Sequence, residues 1–174
     1  MKLILKLISA CILLIMVSNT SIAQDLNKIL KLFEGSYELI SWKQDDKIYK
    51  FPKVKGTFVS YDNKIAFTLD NHMKENKTVK IIGWGNYTLS ADKFSYKYFD
   101  FKRITFKNND VDVNLALPWK DNRDYQVTLK NNELIFISKQ GKQKWVLNDK
   151  SLIYSDKEWG VEKKKVIRVW KRIN

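Results

Sequence analysis

The chain has 174 residues, a length that suits one domain, and a formal net charge of +13. Only four of its 32 basic residues are arginines: Arg103, Arg123, Arg168 and Arg172. Sparse arginine disfavours a surface dedicated to reading phosphates, and nucleic acid is not an expected partner. An anionic envelope surface stays open as a partner for the positive charge, although a lysine-rich composition alone also accounts for it.

The first 23 residues have the pattern of a signal peptide. Lys2 and Lys6 precede an apolar run over residues 7–17, and the small residues Ser21 and Ala23 fit a signal-peptidase site. We therefore expect residues 24–174 to form the mature domain and the protein to be exported, either to the periplasm or out of the cell.

Cys11 is the one cysteine, and it lies in the middle of that apolar run. A lipid-modified cysteine would be followed by a polar tether, so lipid anchoring at Cys11 is the less favoured alternative to simple export. Removal of residues 1–23 would leave a domain without thiols, which excludes disulfides, thiol catalysis and thiolate metal sites.

The mature chain begins with a short helical pattern and continues as strands. Leu26, Ile29, Leu30 and Phe33 have helical spacing, which predicts a helix over residues 25–33. Apolar and polar residues then alternate in segments separated by turn residues such as Asp62-Asn63 and Asn131-Asn132.

This pattern predicts an all-β fold. Roughly eight to ten antiparallel strands joined by short turns form either a closed meander barrel or a two-sheet sandwich. We favour the barrel, because closure removes exposed strand edges.

Five segments taken in order resemble the bacterial lipocalin-like domains of the calycin superfamily. They are GSYELISW (residues 35–42), GTFVSYDNKIAFTL (56–69), WGNYTLSADKFSY (84–96), RDYQVTLKNNELIFIS (123–138) and RVWKR (168–172). Tyr37 stands where those domains have a tryptophan. The resemblance implies a small barrel, closed at one end and open at the other, that often holds an apolar molecule.

The resemblance also implies how the barrel closes. A late arginine stacks on an aromatic residue of the first strand, which pairs Arg168 with Tyr37, or alternatively with Trp42. Gly35 would let the chain turn in from the helix, and Trp170 would share a strand face with Arg168. Strict alternation places Trp42 on the opposite face from Tyr37, outside the barrel or under the helix.

Ligand contacts are expected further along the chain, where aromatic side chains are dense and tyrosine hydroxyls can orient a buried molecule. The candidates are Tyr61, Phe67, Trp84, Tyr87 and Tyr96, with Arg123 orienting an anionic headgroup. No cofactor or metal is expected, because His72 is the one histidine and no phosphate loop or nucleophile elbow occurs.

Three functions follow, in order of preference. The first is an exported lipocalin-like binding protein for a small hydrophobic molecule, lipid-like or aromatic. The second is a non-catalytic interaction module of the cell envelope that uses the basic surface. The third is an enzyme acting on a hydrophobic substrate inside the barrel.

Overall fold

The computed structural model describes residues 26–108, 110–116, 120–160 and 162–173. The expected signal peptide and Cys11 lie outside these residues. Helix α1 spans residues 26–33. The strands are β1 (Gly35–Gln44), β2 (Lys47–Tyr49), β3 (Val54–Tyr61), β4 (Lys64–Lys74), β5 (Lys77–Leu89), β6 (Lys93–Lys107), β7 (Asp110–Ala116), β8 (Arg123–Lys130), β9 (Glu133–Ser138), β10 (Gln143–Leu147), β11 (Ser151–Trp159) and β12 (Lys164–Arg172).

Ten of the strands form a closed antiparallel barrel. The order is β1-β3-β4-β5-β6-β8-β9-β10-β11-β12, and β12 pairs back with β1 to close the ring. Strand β2 pairs with β1, and β7 pairs with β6, outside this ring. The prediction of an all-β meander barrel with a short N-terminal helix is confirmed.

Short turns made by Asp and Asn set the meander. Asp62 and Asn63 have φ of 45° and 59°, and Asn131 and Asn132 have φ of 52° and 62°. Two successive left-handed residues give a turn whose twist matches that of the flanking strands. Both predicted hairpins form, β3–β4 and β8–β9.

A β-bulge in β1 changes the face that Trp42 presents. The pairing of β1 with β12 shifts register between Leu39 and Ser41, so the alternation of faces is interrupted there. Tyr37, Leu39 and Trp42 are consequently all buried, while Ile40 is exposed. The expectation that Trp42 lies on the opposite face from Tyr37 is wrong for this reason.

Helix α1 lies over one end of the barrel and places Phe33 inside it. The Phe33 ring is fully buried, with ring centres 4.8 Å from Tyr87, 5.0 Å from Phe94 and 5.5 Å from Phe136. The Ser60 hydroxyl donates a hydrogen bond of 2.6 Å to the Phe33 carbonyl oxygen. These contacts join the helix to β3, β5, β6 and β9.

Tyr37 and Arg172 tie the helix end to the seam between β1 and β12. The Tyr37 hydroxyl donates to the carbonyl oxygens of Leu32 (3.0 Å) and Phe33 (3.1 Å). Arg172 Nη2 donates to Tyr37 Oη and to the Leu32 carbonyl oxygen, each at 2.7 Å. A cation at the C-terminal end of a helix also interacts favourably with the helix dipole.

This arrangement corrects the expected pairing of Arg168 with Tyr37. Because β12 runs antiparallel to β1, its last residues meet the first residues of β1, and Tyr37 lies opposite Arg172. Arg168 lies opposite Trp42, which was the alternative pairing. Gly35 stands beside the Arg172 guanidinium, since a Cβ at Gly35 would lie 3.1 Å from Cζ of Arg172.

Trp170 is buried on the inner face of β12, opposite Leu39 and with its ring centre 6.4 Å from Phe58. It shares that face with Arg168, as the alternation predicts.

Among the described residues, no helix has the length and hydrophobicity needed to cross a membrane.

Replacing Phe33 with Ala tests the closed end of the barrel. We expect Phe33→Ala to lower the free energy of unfolding by about 3–5 kcal/mol. The substitution removes a fully buried ring, and the surrounding strands cannot close the space that it leaves. Lys28→Ala, an exposed change in the same helix, should cost less than about 0.5 kcal/mol. Urea denaturation measures both; equal stability of the two variants would contradict the closed end described here.

Candidate ligand cavity

The barrel contains a cavity of about 210 Å³. It lies towards the end opposite α1, where β8 begins with Arg123 and β11 ends with Trp159. At the α1 end the rings of Phe33, Phe94 and Phe136 fill the interior, and Phe94 stacks on Phe136 at 4.4 Å between ring centres. The barrel is thus packed at one end and hollow at the other.

The cavity wall is mainly aromatic. Rings of phenylalanine, tyrosine and tryptophan line it together with Ile81, Leu152 and the three arginines Arg103, Arg123 and Arg168. A volume of 210 Å³ holds about seven water molecules at roughly 30 Å³ each. This is below the roughly 300–1,000 Å³ of sites for drug-sized ligands, so a fitting ligand has one or two rings or a short chain.

The structure brings three of the sequence-predicted contacts together, since Phe67, Tyr96 and Arg123 all line the cavity. The other three lie elsewhere. Tyr61 and Trp84 are 69% and 54% exposed, on strand faces that point away from the barrel interior. Tyr87 is buried at the α1 end, where its hydroxyl donates to Glu34 Oε1 at 2.6 Å.

Several lining residues were not among the predicted contacts. They are Phe58, Ile81, Tyr98, Phe101, Arg103, Trp145, Leu152, Tyr154 and Trp159, besides Trp170 and Arg168, which the resemblance assigned to closure. Their sequence signal was alternation: Tyr98 lies two residues after Tyr96, and Trp170 two after Arg168. Phe101 gives no such signal, because a register shift between β5 and β6 places it on the inner face.

Gly83 leaves room for two aromatic rings of the cavity wall. Its partners across the sheet are Phe67 on β4 and Phe101 on β6. A Cβ at Gly83 would lie 2.5 Å from Cε1 of Phe67 and 3.2 Å from Cδ2 of Phe101. The two rings pack over the bare backbone of this glycine, and a side chain there would push them into the cavity.

Arg168 is the most deeply buried charge of the site, with a relative exposure of 7%. Its Cζ lies 4.1 Å from the ring centres of both Trp42 and Trp159, which meet edge to face, and 5.4 Å from that of Tyr154. Burial lowers the pKa of Arg168 to about 10, so the side chain is still cationic at neutral pH.

The guanidinium of Arg168 is held by rings and not by hydrogen-bond acceptors. Its Nε and Nη2 atoms are buried and have no hydrogen-bond partner among the described residues. None of the ion pairs in that part of the chain involves Arg168. Leaving buried N–H groups of a charged side chain unpaired costs free energy.

Asp156, the buried carboxylate of this region, is satisfied by other groups. Its Oδ2 accepts hydrogen bonds from Tyr154 Oη and Gln143 Nε2, both at 2.9 Å, and its Oδ1 accepts one from the backbone N–H of Glu158 at 2.9 Å. Tyr125 Oη donates to Gln143 Oε1 at 2.5 Å. These bonds fix the wall formed by β8, β10 and β11.

The other two arginines stand at different depths. Arg123 is partly buried and hydrogen-bonds the Tyr96 side chain, whereas Arg103 is exposed at the rim. Burial raises the pKa of the Tyr98, Tyr125 and Tyr154 phenols above the usual value. At neutral pH the site therefore combines cationic guanidinium groups with uncharged phenols.

His72 lies away from the cavity. It belongs to β4, and its Nδ1 is 2.9 Å from Thr78 Oγ1. Within the described residues no group of three or more His, Cys, Asp or Glu side chains could hold a metal ion.

Comparison of the chain with protein-family models, with curated proteins and with solved structures found no match.

Alkaline pH tests the burial of the phenols. Burial raises the pKa of five tyrosines, namely Tyr37, Tyr87, Tyr98, Tyr125 and Tyr154. In the unfolded chain phenols ionise near pH 10. Above that pH the unfolded state loses these protons first, so stability present below pH 10 is lost as the pH rises.

Arg168 acts in the opposite direction, because its lowered pKa lets the folded state release a proton before the unfolded state does. The combined effect of the five tyrosines on stability outweighs that of Arg168. We expect the free energy of unfolding, from urea titrations, to be lower at pH 11 than at pH 9. An equal or higher value at pH 11 would show that the phenols are accessible to water.

Proposed function

We propose that the protein is an exported lipocalin-like binding protein that holds a small, largely apolar molecule in its barrel cavity. The observation that carries the proposal is the uneven filling of the barrel. Aromatic rings pack the α1 end completely, yet the rings at the other end enclose about 210 Å³ of space. A domain that required only a core would gain stability by filling that space.

The lining supports binding without catalysis. Among the described residues, the cavity wall contains no carboxylate, histidine, serine or cysteine that could act as a base or nucleophile. Export to the periplasm or the outside is supported by the signal-peptide pattern of residues 1–23. The order of the five lipocalin-like segments agrees with the closed antiparallel barrel.

The alternative, an interaction module that uses its basic surface, has weaker support. The densest basic run, Lys163-Lys164-Lys165, lies where β12 begins, and Lys164 Nζ pairs with Glu162 Oε2 at 2.6 Å. Lys43, Lys157, Lys163 and Lys165 share a surface groove with Asp45 and Asp46. Acidic neighbours of this kind reduce the attraction of the groove for an anionic polymer.

Filling the cavity tests the proposal. The uncharged two-ring fluorophore 6-propionyl-2-(dimethylamino)naphthalene should bind the wild-type protein with increased emission, because the cavity wall is mainly apolar. Ile81→Trp places a larger side chain in the cavity wall and should weaken binding by about tenfold or more, since the volume is occupied.

Ile82→Trp is the matched control. Ile82 is the next residue of β5 and is 48% exposed on the outer face, so this variant should bind the fluorophore like the wild type. Absence of binding by the wild type, or equal binding by the Ile81→Trp and Ile82→Trp variants, would sink the proposal.

A further inference from the structure

Arginine is concentrated at the cavity. Three of the four arginines of the chain line it, and no lysine of the described residues does, although the chain has 28 lysines among its 32 basic residues. The described lining also contains no aspartate or glutamate. The buried carboxylate of this region, Asp156, attracts Arg168 electrostatically, but it accepts its hydrogen bonds from Tyr154, Gln143 and Glu158. Arginine differs from lysine in that its planar group stacks on rings and forms paired hydrogen bonds to a carboxylate.

The two unpaired atoms of Arg168 lie on one edge of its guanidinium. Nε and Nη2 each carry an N–H on the side away from Cδ, and these two N–H groups are nearly parallel. This edge can donate two hydrogen bonds to the two oxygens of one carboxylate. Both atoms are buried and lack a partner among the described residues, so a bound carboxylate would supply two missing acceptors.

Burial of the Arg168 guanidinium costs folding free energy, and a bound anion would reduce that cost. Removing a charge from water carries a free-energy penalty, and the ring contacts and the attraction of Asp156 offset it only in part, since the net effect lowers the pKa of Arg168. Arg172, on the same face of the same strand, has three oxygen acceptors for its Nη2: two helix carbonyls and Tyr37. In Arg172 the buried Nε alone lacks an acceptor among the described residues, whereas in Arg168 both atoms of one edge, Nε and Nη2, lack one.

We propose that the ligand of this cavity is an acid: a small apolar molecule, aromatic in part, whose carboxylate is bound by the Nε–Nη2 edge of Arg168. Arg123, which also lines the cavity, provides the second positive charge. The apolar part of the ligand lies among the rings of Phe58, Trp145 and Trp170. This inference rests on the proposed binding function and specifies its ligand class.

The test compares 2-naphthoate with 2-naphthamide, two probes of nearly the same shape of which only the first is charged. Each is titrated against protein loaded with 6-propionyl-2-(dimethylamino)naphthalene, and displacement is read from the loss of emission. We expect 2-naphthoate to displace the fluorophore at a concentration about tenfold or more below that of 2-naphthamide, because only naphthoate has a negative charge and two acceptor oxygens for the paired N–H groups.

The outcomes for wild-type protein separate the two proposals. If the fluorophore binds and the two probes displace it equally, the acid ligand is excluded while a binding function stands. If the fluorophore does not bind and neither naphthalene probe binds in calorimetry, both proposals fail. Neither result depends on a variant that has to fold.

Arg168→Met then tests the assigned side chain. Methionine keeps an apolar contact for Trp42 and Trp159 but removes the charge. We expect the preference for naphthoate to fall below about threefold, fluorophore binding to persist, and the urea midpoint to be no lower than that of the wild type. A purely structural role in holding the two rings predicts the reverse, a lower midpoint with the preference retained.

Lys144→Met is the control for overall charge. Lys144 is exposed on β10 beside the cavity residue Trp145, so its removal takes away one positive charge outside the barrel and should leave the preference unchanged.

Arg123→Met should reduce the preference in part and provides a second variant should Arg168→Met not fold. An unchanged preference in both arginine variants would overturn the assignment.

Discussion

A barrel of ten strands encloses more space than ordinary side chains fill, and the rest of this structure depends on how that space is used. The diameter of a closed barrel grows with strand number, and about eight strands leave an interior that side chains alone can pack. Here one end is packed by large rings and by Phe33, which the helix inserts from outside the sheet. At the other end the rings pack against one another along the wall, as Trp145 does against Phe58 and Tyr154, and leave a cavity.

The seam between β1 and β12 links the two ends. At the α1 end, Arg172 and Tyr37 hold the helix over the barrel through hydrogen bonds to helix carbonyls. At the cavity end, the bulge in β1 turns Trp42 inwards, where it meets the guanidinium of Arg168. Two arginines on one strand face thus differ: Nη2 of Arg172 is hydrogen-bonded to the helix end, whereas Nε and Nη2 of Arg168 are buried without an acceptor among the described residues.

Much of the fold could be predicted from the sequence because its causes are local. Asn and Asp pairs with left-handed backbone fix the hairpins, and alternation within each strand fixes which residues face inwards. Register irregularities could not be predicted, because a bulge depends on how two strands pair and leaves no mark in the alternation of either strand alone. The bulges explain why Trp42 was expected outside and why Phe101 was not expected in the cavity.

The candidate site could be predicted only in part, for a related reason. Arg123, Tyr96 and Phe67 line the cavity, whereas Tyr61 and Trp84, aromatic residues of the same region, point outwards. Composition identifies aromatic residues, but which alternate residues of each strand face inwards decides which of them line a cavity. The role of Arg168 depended further on the antiparallel register of β12 with β1, which pairs Arg172 and not Arg168 with Tyr37.

The most direct measurement is a two-dimensional ¹H–¹⁵N spectrum of the tryptophan indole N–H groups, recorded while 2-naphthoate is added. Trp145, Trp159 and Trp170 line the cavity, and Trp84 lies on the outer face as an internal control. A ligand held inside the barrel would shift the three cavity signals through its ring current and leave that of Trp84 in place. A shift of Trp84 alone, or no shift at saturating naphthoate, would contradict a binding cavity in this barrel.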